Sequence, residues 1–210
     1  MTFDSRADAA RRLAAALQRY RGKNPLVLAI PRGAVAMGAA IADALGGELD
    51  VVLVRKLRAP FNPELAVGAI DETGWTYLAG IAREIGAGEA HLAREKSAQL
   101  ELLRKRRALY TPARAPIDPR GRIAIVVDDG IATGASMIAA LHAVRAKHPA
   151  RLVCAVPVAP PDSVAQIAPH ADEVVCLETH ADFQAVSQFY REFPQLEDEE
   201  VVALLAGRRA

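Results

Sequence analysis

The sequence predicts an α/β protein: a five-stranded, mainly parallel sheet flanked by helices on both faces. Two observations carry that expectation. Short apolar runs alternate along the chain with stretches of helical periodicity, the pattern of strands joined by crossover helices. In addition, three of the apolar runs are followed by polar groups: Arg32, Arg55-Lys56 and Asp128-Asp129. In open parallel sheets, ligands bind beyond the carboxyl ends of the strands, so those three ends carry the chemical interest.

The elements follow in order. "MTFDSRADAARRLAAALQRY" reads as an amphipathic first helix capped near Asp4 or Ser5. "PLVLAI" (Pro25–Ile30) is a buried strand, and "PRGAVAMG" turns into an alanine-rich helix that stops near Gly46-Gly47. "ELDVVLV" (Glu48–Val54) is the second strand, ending at Arg55-Lys56. "ELAVGAI" and "WTYLA" flank the turn "DETG" as a hairpin. A long polar helix spans about Ala87 to Tyr110, and the proline-rich loop Thr111–Gly121 follows it. The third strand, Arg122–Val127, leads into a helix on which Met137, Ile138, Leu141 and Val144 fall at helical spacing. "RLVCAVPVA", a short helix from Asp162 and "DEVVCLE" supply the fourth and fifth strands and their connection. A final helix starts near Asp198. One domain over residues 1–210 is expected, with a flexible-loop and helix insertion at 71–118 and a small C-terminal hood at 178–210.

Bulk composition narrows the function. The chain has 210 residues, of which 51% are hydrophobic and 24% charged, enough for a sizeable core. Its net charge of +1 gives no global field to draw in nucleic acid or an anionic membrane, so neither is expected as a partner. Any anion site must be local. No run reaches the roughly 18 apolar residues of a membrane span. The two cysteines, Cys154 and Cys176, lie in apolar runs and read as small core residues in a reducing compartment. The N-terminal stretch has no apolar signal core. A cytoplasmic protein is expected. The five histidines show no metal-ligand spacing.

The stretch "RIAIVVDDGIATGAS" (Arg122–Ser136) carries the strongest chemical signal. Adjacent carboxylates repel and resist burial, so a buried strand ending in two of them needs a reason. Gly130 and Gly134 let the backbone turn sharply and approach a ligand. The loop opens a helix, whose unpaired first amides and dipole favour a phosphate. Thr133 and Ser136 add hydroxyl donors. Asp128 and Asp129 suit a diol, or a hydrated Mg²⁺ ion. Phosphate beside a diol describes a sugar phosphate. The Gly-Lys-Ser/Thr ending of a P-loop and the spacing of a dinucleotide fingerprint are both absent.

"VVDDGIATGAS" resembles the signature of type I phosphoribosyltransferases, and "AIPRGAVAMG", "VRKLRAPFNPELAVGAIDE", "VPVAPP" and "DFQAVSQFYREFPQLEDEEVV" are similar to a bacterial phosphoribosyltransferase-like family of uncharacterised specificity. These segments cover most of the chain. The resemblance implies the type I phosphoribosyltransferase fold and binding of phosphoribosyl pyrophosphate (PRPP), in nucleoside metabolism. It implies that Asp128 and Asp129 hold the ribose hydroxyls, with a weaker role toward Mg²⁺ through PRPP and water. Gly130, Ile131, Ala132, Thr133, Gly134, Ala135 and Ser136 would hold the 5-phosphate. The loop Pro31-Arg32-Gly33-Ala34 matches the family's pyrophosphate loop, where a cis peptide is common; Arg32, Gly33 and Ala34 would contact the leaving group. Arg55 and Lys56 are the expected catalytic cations, stabilising pyrophosphate charge as it develops. "LLRKRR" (Leu102–Arg107) reads either as a solvated basic face or as cover for the phosphates.

The acceptor is less defined. In 6-oxopurine enzymes of this fold an acid occupies the fifth position of the nine-residue core; here it is Ala132, which argues against hypoxanthine or guanine. Glu64, Asp71 and Glu72 are candidate general bases by location alone. Phe183, Phe189 and Tyr190 would either stack on an acceptor base or pack the C-terminal segment onto the core. His180 reads as a surface residue. The expected activity is Mg²⁺-dependent transfer of phosphoribose from PRPP to a nitrogenous, base-type small-molecule acceptor. A non-catalytic PRPP-sensing regulator and a ribose-phosphate hydrolase are the alternatives. A homodimer is an open expectation.

Overall fold

The structure, a computed structural model, describes residues 2–62, 65–80, 82 and 87–207. Eight strands run in chain order: β1 (Leu26–Ala29), β2 (Glu48–Val51), β3 (Val54–Arg58), β4 (Ala66–Asp71), β5 (Thr76–Leu78), β6 (Ile123–Val127), β7 (Arg151–Ala159) and β8 (Glu173–Thr179). The α-helices are α1 (Arg6–Ala16), α2 (Ala34–Leu45), α3 (Glu89–Tyr110), α4 (Ala135–Arg145), α5 (Pro161–Ile167) and α6 (Asp198–Ala206).

Five strands form one sheet in the order β2-β1-β6-β7-β8, and every neighbouring pair is parallel. Side chains alternate between its two faces, as strand geometry requires. Val27, Ala29, Ile125, Val127, Val153 and Ala155 join the core under α1 and α2. Leu26, Leu28, Ala124, Val126, Leu152, Cys154 and Val156 join the core under α4 and α5. Burial on both faces explains why these strands read as unbroken apolar runs. Cys154 is buried and both cysteines are free, as expected for core residues. Burial raises the thiol pKa of Cys154 beyond the ordinary range and that of Cys176 to about 11.

Strand order reverses beside β1, which has β2 on one side and β6 on the other. The crevice at such a switch point lies beyond the carboxyl ends of β1 and β6. Those ends carry Pro31-Arg32-Gly33 and Asp128-Asp129, respectively.

One boundary differs from expectation. The run Glu48–Val54 is not a single strand: β2 stops at Val51, and Arg55-Lys56 lie inside β3. β3 belongs to a second, antiparallel sheet, β3-β4-β5, with a register shift at Leu57/Arg58. The corner at Val52-Leu53 is hidden in the sequence because both residues are buried and no polar residue or glycine marks it. The hairpin was expected; its third strand was not. Ala69 of β4 meets Ala135 and Ala139 of α4, and these small residues let the second sheet approach that helix.

Ser5 caps α1, its Oγ accepting from the Asp8 amide. The segment before α1 is tied to the far end of the chain. Phe3 bridges Tyr190, the amides of Thr2 and Phe3 donate to the Phe189 carbonyl, and those of Arg191 and Glu192 donate to the carbonyls of Phe3 and Asp4. Among the described residues, no helix is long and apolar enough to cross a membrane.

Candidate functional site

A cavity of about 610 Å³ opens at the switch point, lined by segments from along the whole chain. The turn after β1 supplies Pro31, Arg32 and Gly33. β3 supplies Arg55, Lys56 and Arg58. The loop after β6 supplies Asp128, Asp129, Gly130, Ile131, Ala132, Thr133, Gly134, Ala135 and Ser136. Arg106 reaches in from α3, and Val186 from the C-terminal segment. Residues read as three separate strand ends thus meet in one place. Ala34 is buried as the first residue of α2, directly behind that turn.

The loop Gly130–Gly134 is shaped as an anion cradle. Ile131 is buried and its amide donates to the Val158 carbonyl at 2.9 Å, anchoring one end. The Ser163 hydroxyl donates to the Ala132 carbonyl at 2.6 Å, turning that oxygen away. Gly134 sits at the N-cap of α4 with φ of +79°, a conformation that favours glycine. No side chain caps this helix, so its first amides are left for a ligand. The peptide between Pro31 and Arg32 is cis, matching the resemblance.

The two acids are held unequally. Asp128 Oδ1 accepts from the Asp129 amide at 2.9 Å. Burial, then the charge of Asp129, raises the Asp128 pKa well above the ordinary carboxylate range, while Lys56 works in the opposite direction. Burial also raises Asp129, but Arg6 pulls it back. The pair therefore favours its proton on Asp128 and its charge on Asp129. Arg6 Nε and Nη2 both reach Asp129 Oδ2 at 2.8 Å. Tyr190 donates to the Asp129 carbonyl at 2.6 Å. An ideal Cβ added to Gly33 would fall 2.3 Å from Asp129 Oδ2, so only glycine permits this approach.

Five cations line the same cavity: Arg32, Arg55, Lys56, Arg58 and Arg106. Arg55 Nε donates to Gln99 Oε1 at 2.8 Å, and burial with its neighbours Arg106 and Arg58 lowers its pKa. The Arg58 amide and Gln99 Nε2 both donate to Glu95 Oε1, so α3 buttresses β3. Arg32 pairs with Glu197 and Arg106 with Asp198, both at the start of α6. Within "LLRKRR", only Arg106 turns into the cavity; Arg107 pairs with Glu72 and Lys105 with Glu101.

Phe183, Phe189 and Tyr190 do not line this cavity. Phe189 is buried between His180 and Phe183, with ring centroids at 4.7 and 4.8 Å. Tyr190 is buried between Phe3 and Phe193. Their aromatic surface packs the C-terminal segment, and Tyr190 adds its hydrogen bond to the Asp129 carbonyl. Of the candidate bases, Asp71 is fully buried and accepts from Thr73 and Trp75, holding the β4–β5 turn. Glu72 is engaged by Arg107 at 2.8 and 2.6 Å. Glu64 lies outside the described residues. Sequence reasoning missed Arg6, Arg58 and Val186.

An acid pair, a glycine-containing loop and several cations thus gather at the switch point of an all-parallel sheet. Comparison with known proteins shows the family. The phosphoribosyl transferase domain model matches residues 3–193, and the chain belongs to that family. It is 47% identical over 204 residues to a Mycobacterium tuberculosis protein named "Putative phosphoribosyl transferase Rv0571c", covering 97% of this chain and 46% of that one. The chain thus spans about half the length of the curated relatives it matches. The crystal structure of TT1426 from Thermus thermophilus is 44% identical, with a TM-score of 0.83 and full coverage of both chains. A Staphylococcus aureus hypoxanthine phosphoribosyltransferase superposes with a TM-score of 0.50 at 12% identity, covering 93% of this chain and 88% of that one, and shares the fold.

Proposed function

We propose that this domain transfers phosphoribose from PRPP to a nitrogenous, base-type small-molecule acceptor and releases pyrophosphate. The observation that carries the reading is that Asp128-Asp129 and the Gly130–Ser136 loop line one cavity together with Arg32, Arg55 and Lys56. Asp128 and Asp129 accept from the ribose 2- and 3-hydroxyls. The amides of Ala132 to Ser136, with the hydroxyls of Thr133 and Ser136, hold the 5-phosphate, and the Ile131 amide anchors the loop to Val158. Arg32, Gly33 and Ala34 bind the pyrophosphate. Arg55 and Lys56 face the charge that builds on pyrophosphate as the bond from C1 to its oxygen breaks and the bond from C1 to the acceptor nitrogen forms. The acceptor nitrogen loses a proton in the exchange.

Magnesium is the implied ion, and the donor set fits it as a ligand-borne ion. Among the described residues no group of three His, Cys, Asp or Glu side chains could cage a metal. Asp128 and Asp129 offer hard oxygens at the cavity wall, suited to a hydrated ion that arrives with PRPP. There it would neutralise pyrophosphate charge. A cytoplasmic location accords with two free cysteines, Cys154 buried and Cys176 half-buried.

Pyrophosphate release from PRPP, measured across a library of bases with Mg²⁺, tests the reading. Release that requires one base is expected. Release without any acceptor would assign a hydrolase. PRPP binding with no turnover would assign a PRPP-sensing regulator.

A further inference from the structure

We propose that Arg6 is a positioning residue of the ribose site, which acts by aiming Asp129 and does not touch the sugar. The inference rests on the PRPP reading above. Arg6 is absent from the cavity lining, yet its guanidinium is committed to a residue that is present there. Nε and Nη2 both reach the same oxygen, Asp129 Oδ2, each at 2.8 Å. Both nitrogens therefore converge on Oδ2 and fix the orientation of the carboxylate. The remaining nitrogen, Nη1, donates to the Pro194 carbonyl. The ring of Phe193 covers the guanidinium at 3.7 Å from its centroid. Only 11% of the Arg6 side chain and 16% of that of Asp129 are exposed.

The far side is equally closed. A Cβ on Gly33 would lie 2.3 Å from Asp129 Oδ2 and 2.9 Å from Arg6 Nη2, so the ion pair lies directly on the turn after β1. Asp129 is therefore held from three directions: α1 supplies the charge, the β1 turn the floor, and the C-terminal segment the cover. This arrangement answers a chemical need. Two neighbouring buried acids tend to share a proton, and a protonated acid offers a donor where a diol needs an acceptor. A fixed guanidinium favours the charged form of the second acid and holds its carboxylate in one orientation. Fixed partners of this kind typically set affinity by an order of magnitude or more when lost.

The test measures dissociation constants by calorimetry for three probes: PRPP, ribose 5-phosphate and pyrophosphate. Arg6→Gln is expected to weaken PRPP and ribose 5-phosphate by about tenfold or more, and to leave pyrophosphate within about twofold. Arg6→Lys keeps the charge without the two-nitrogen grip, and should recover part of the loss. A merely structural role would weaken all three probes together, and that outcome would overturn the proposal, as would an unchanged ribose 5-phosphate affinity. Thermal unfolding reports on the fold. If Arg6→Gln fails to fold, Phe193→Leu removes the cover and keeps both charges; it should weaken the two ribose ligands by a smaller factor and spare pyrophosphate. No change in Phe193→Leu would then overturn the role. Wild-type protein that binds none of the three probes would overturn the PRPP reading itself, and the role of Arg6 with it.

Discussion

Arg32 donates through Nη1 to Glu197 at 2.8 Å, so a cation of the turn after β1 is engaged by a carboxylate from the start of the last helix. Glu197 is largely exposed, with 62% of its side chain open to solvent. Exposed pairs of this type contribute about 0–1 kcal/mol, so the contact is readily exchanged. An incoming pyrophosphate must displace Glu197 to reach Arg32. Glu197→Gln should therefore tighten pyrophosphate by about two- to fivefold, as read by calorimetry. A weaker or unchanged affinity would mean that Arg32 does not meet that anion.

The acid pair makes opposite predictions for binding and for stability. Asp128→Asn combined with Asp129→Asn should abolish PRPP binding while far-ultraviolet circular dichroism stays unchanged. If affinity stayed within about threefold, under ~1 kcal/mol, the ribose assignment would fail. Stability should move the other way. Burial and Asp129 raise the Asp128 pKa in the fold above its unfolded value. A carboxyl raised in this way costs its full amount of stability above its folded-state pKa, and the cost shrinks as pH falls below that value and is gone only below the unfolded one. Asp128→Asn alone should thus raise Tm at pH 8, with about 1 kcal/mol appearing as roughly 2–4 °C in a chain of this size. The gain should shrink toward acid pH. PRPP affinity of the unmodified protein should fall over the same descent, because the diol needs ionised acceptors.

Arg55 separates the two halves of the donor. It stands on β3, lines the cavity together with the Gly130–Ser136 loop, and its Nε is held by Gln99. Arg55→Ala should weaken pyrophosphate by roughly 1.5–3 kcal/mol, the range for a hydrogen bond to a charged group. Ribose 5-phosphate should change much less. Equal losses in the two titrations would remove Arg55 from its assigned role.

Gly33 offers a steric test. Gly33→Ala places a methyl 2.3 Å from Asp129 Oδ2 and 2.9 Å from Arg6 Nη2, so both must shift. We expect at least a tenfold loss of PRPP affinity, about 1.4 kcal/mol or more. Gly80→Ala, where a Cβ meets nothing within 4 Å, is the control and should lie within about 0.5 kcal/mol of the parent.

Strand positions and the acid loop were legible because buried parallel strands are written as uninterrupted apolar runs, and Asp128-Asp129 interrupts one sharply. The Val52-Leu53 corner was illegible for the same reason: apolar residues continue through it, and only the hydrogen-bond ladders show that β2 has ended. Arg6 was hidden differently. In "DSRADAARR" it looks like one of several solvated arginines, and its partner lies 123 residues away. Periodicity places a residue on a helix face but does not say what that face meets. Phe189 and Tyr190 show a third limit, since an aromatic ring suits a ligand platform and a packed segment equally well, and only the cavity wall distinguishes the two.

The tie between the two ends of the chain governs when the pocket can form during synthesis. Arg6 and Pro194 are 188 residues apart. At ordinary translation speeds that separation is about 10–40 s. The parallel sheet can pair during that interval, but Arg6 lacks the cover of Phe193, and Asp129 the Tyr190 hydroxyl, until residues 190–194 emerge. The nascent protein therefore acquires its architecture before its ribose-binding geometry, and truncation before residue 190 should yield a sheet with an unfinished pocket.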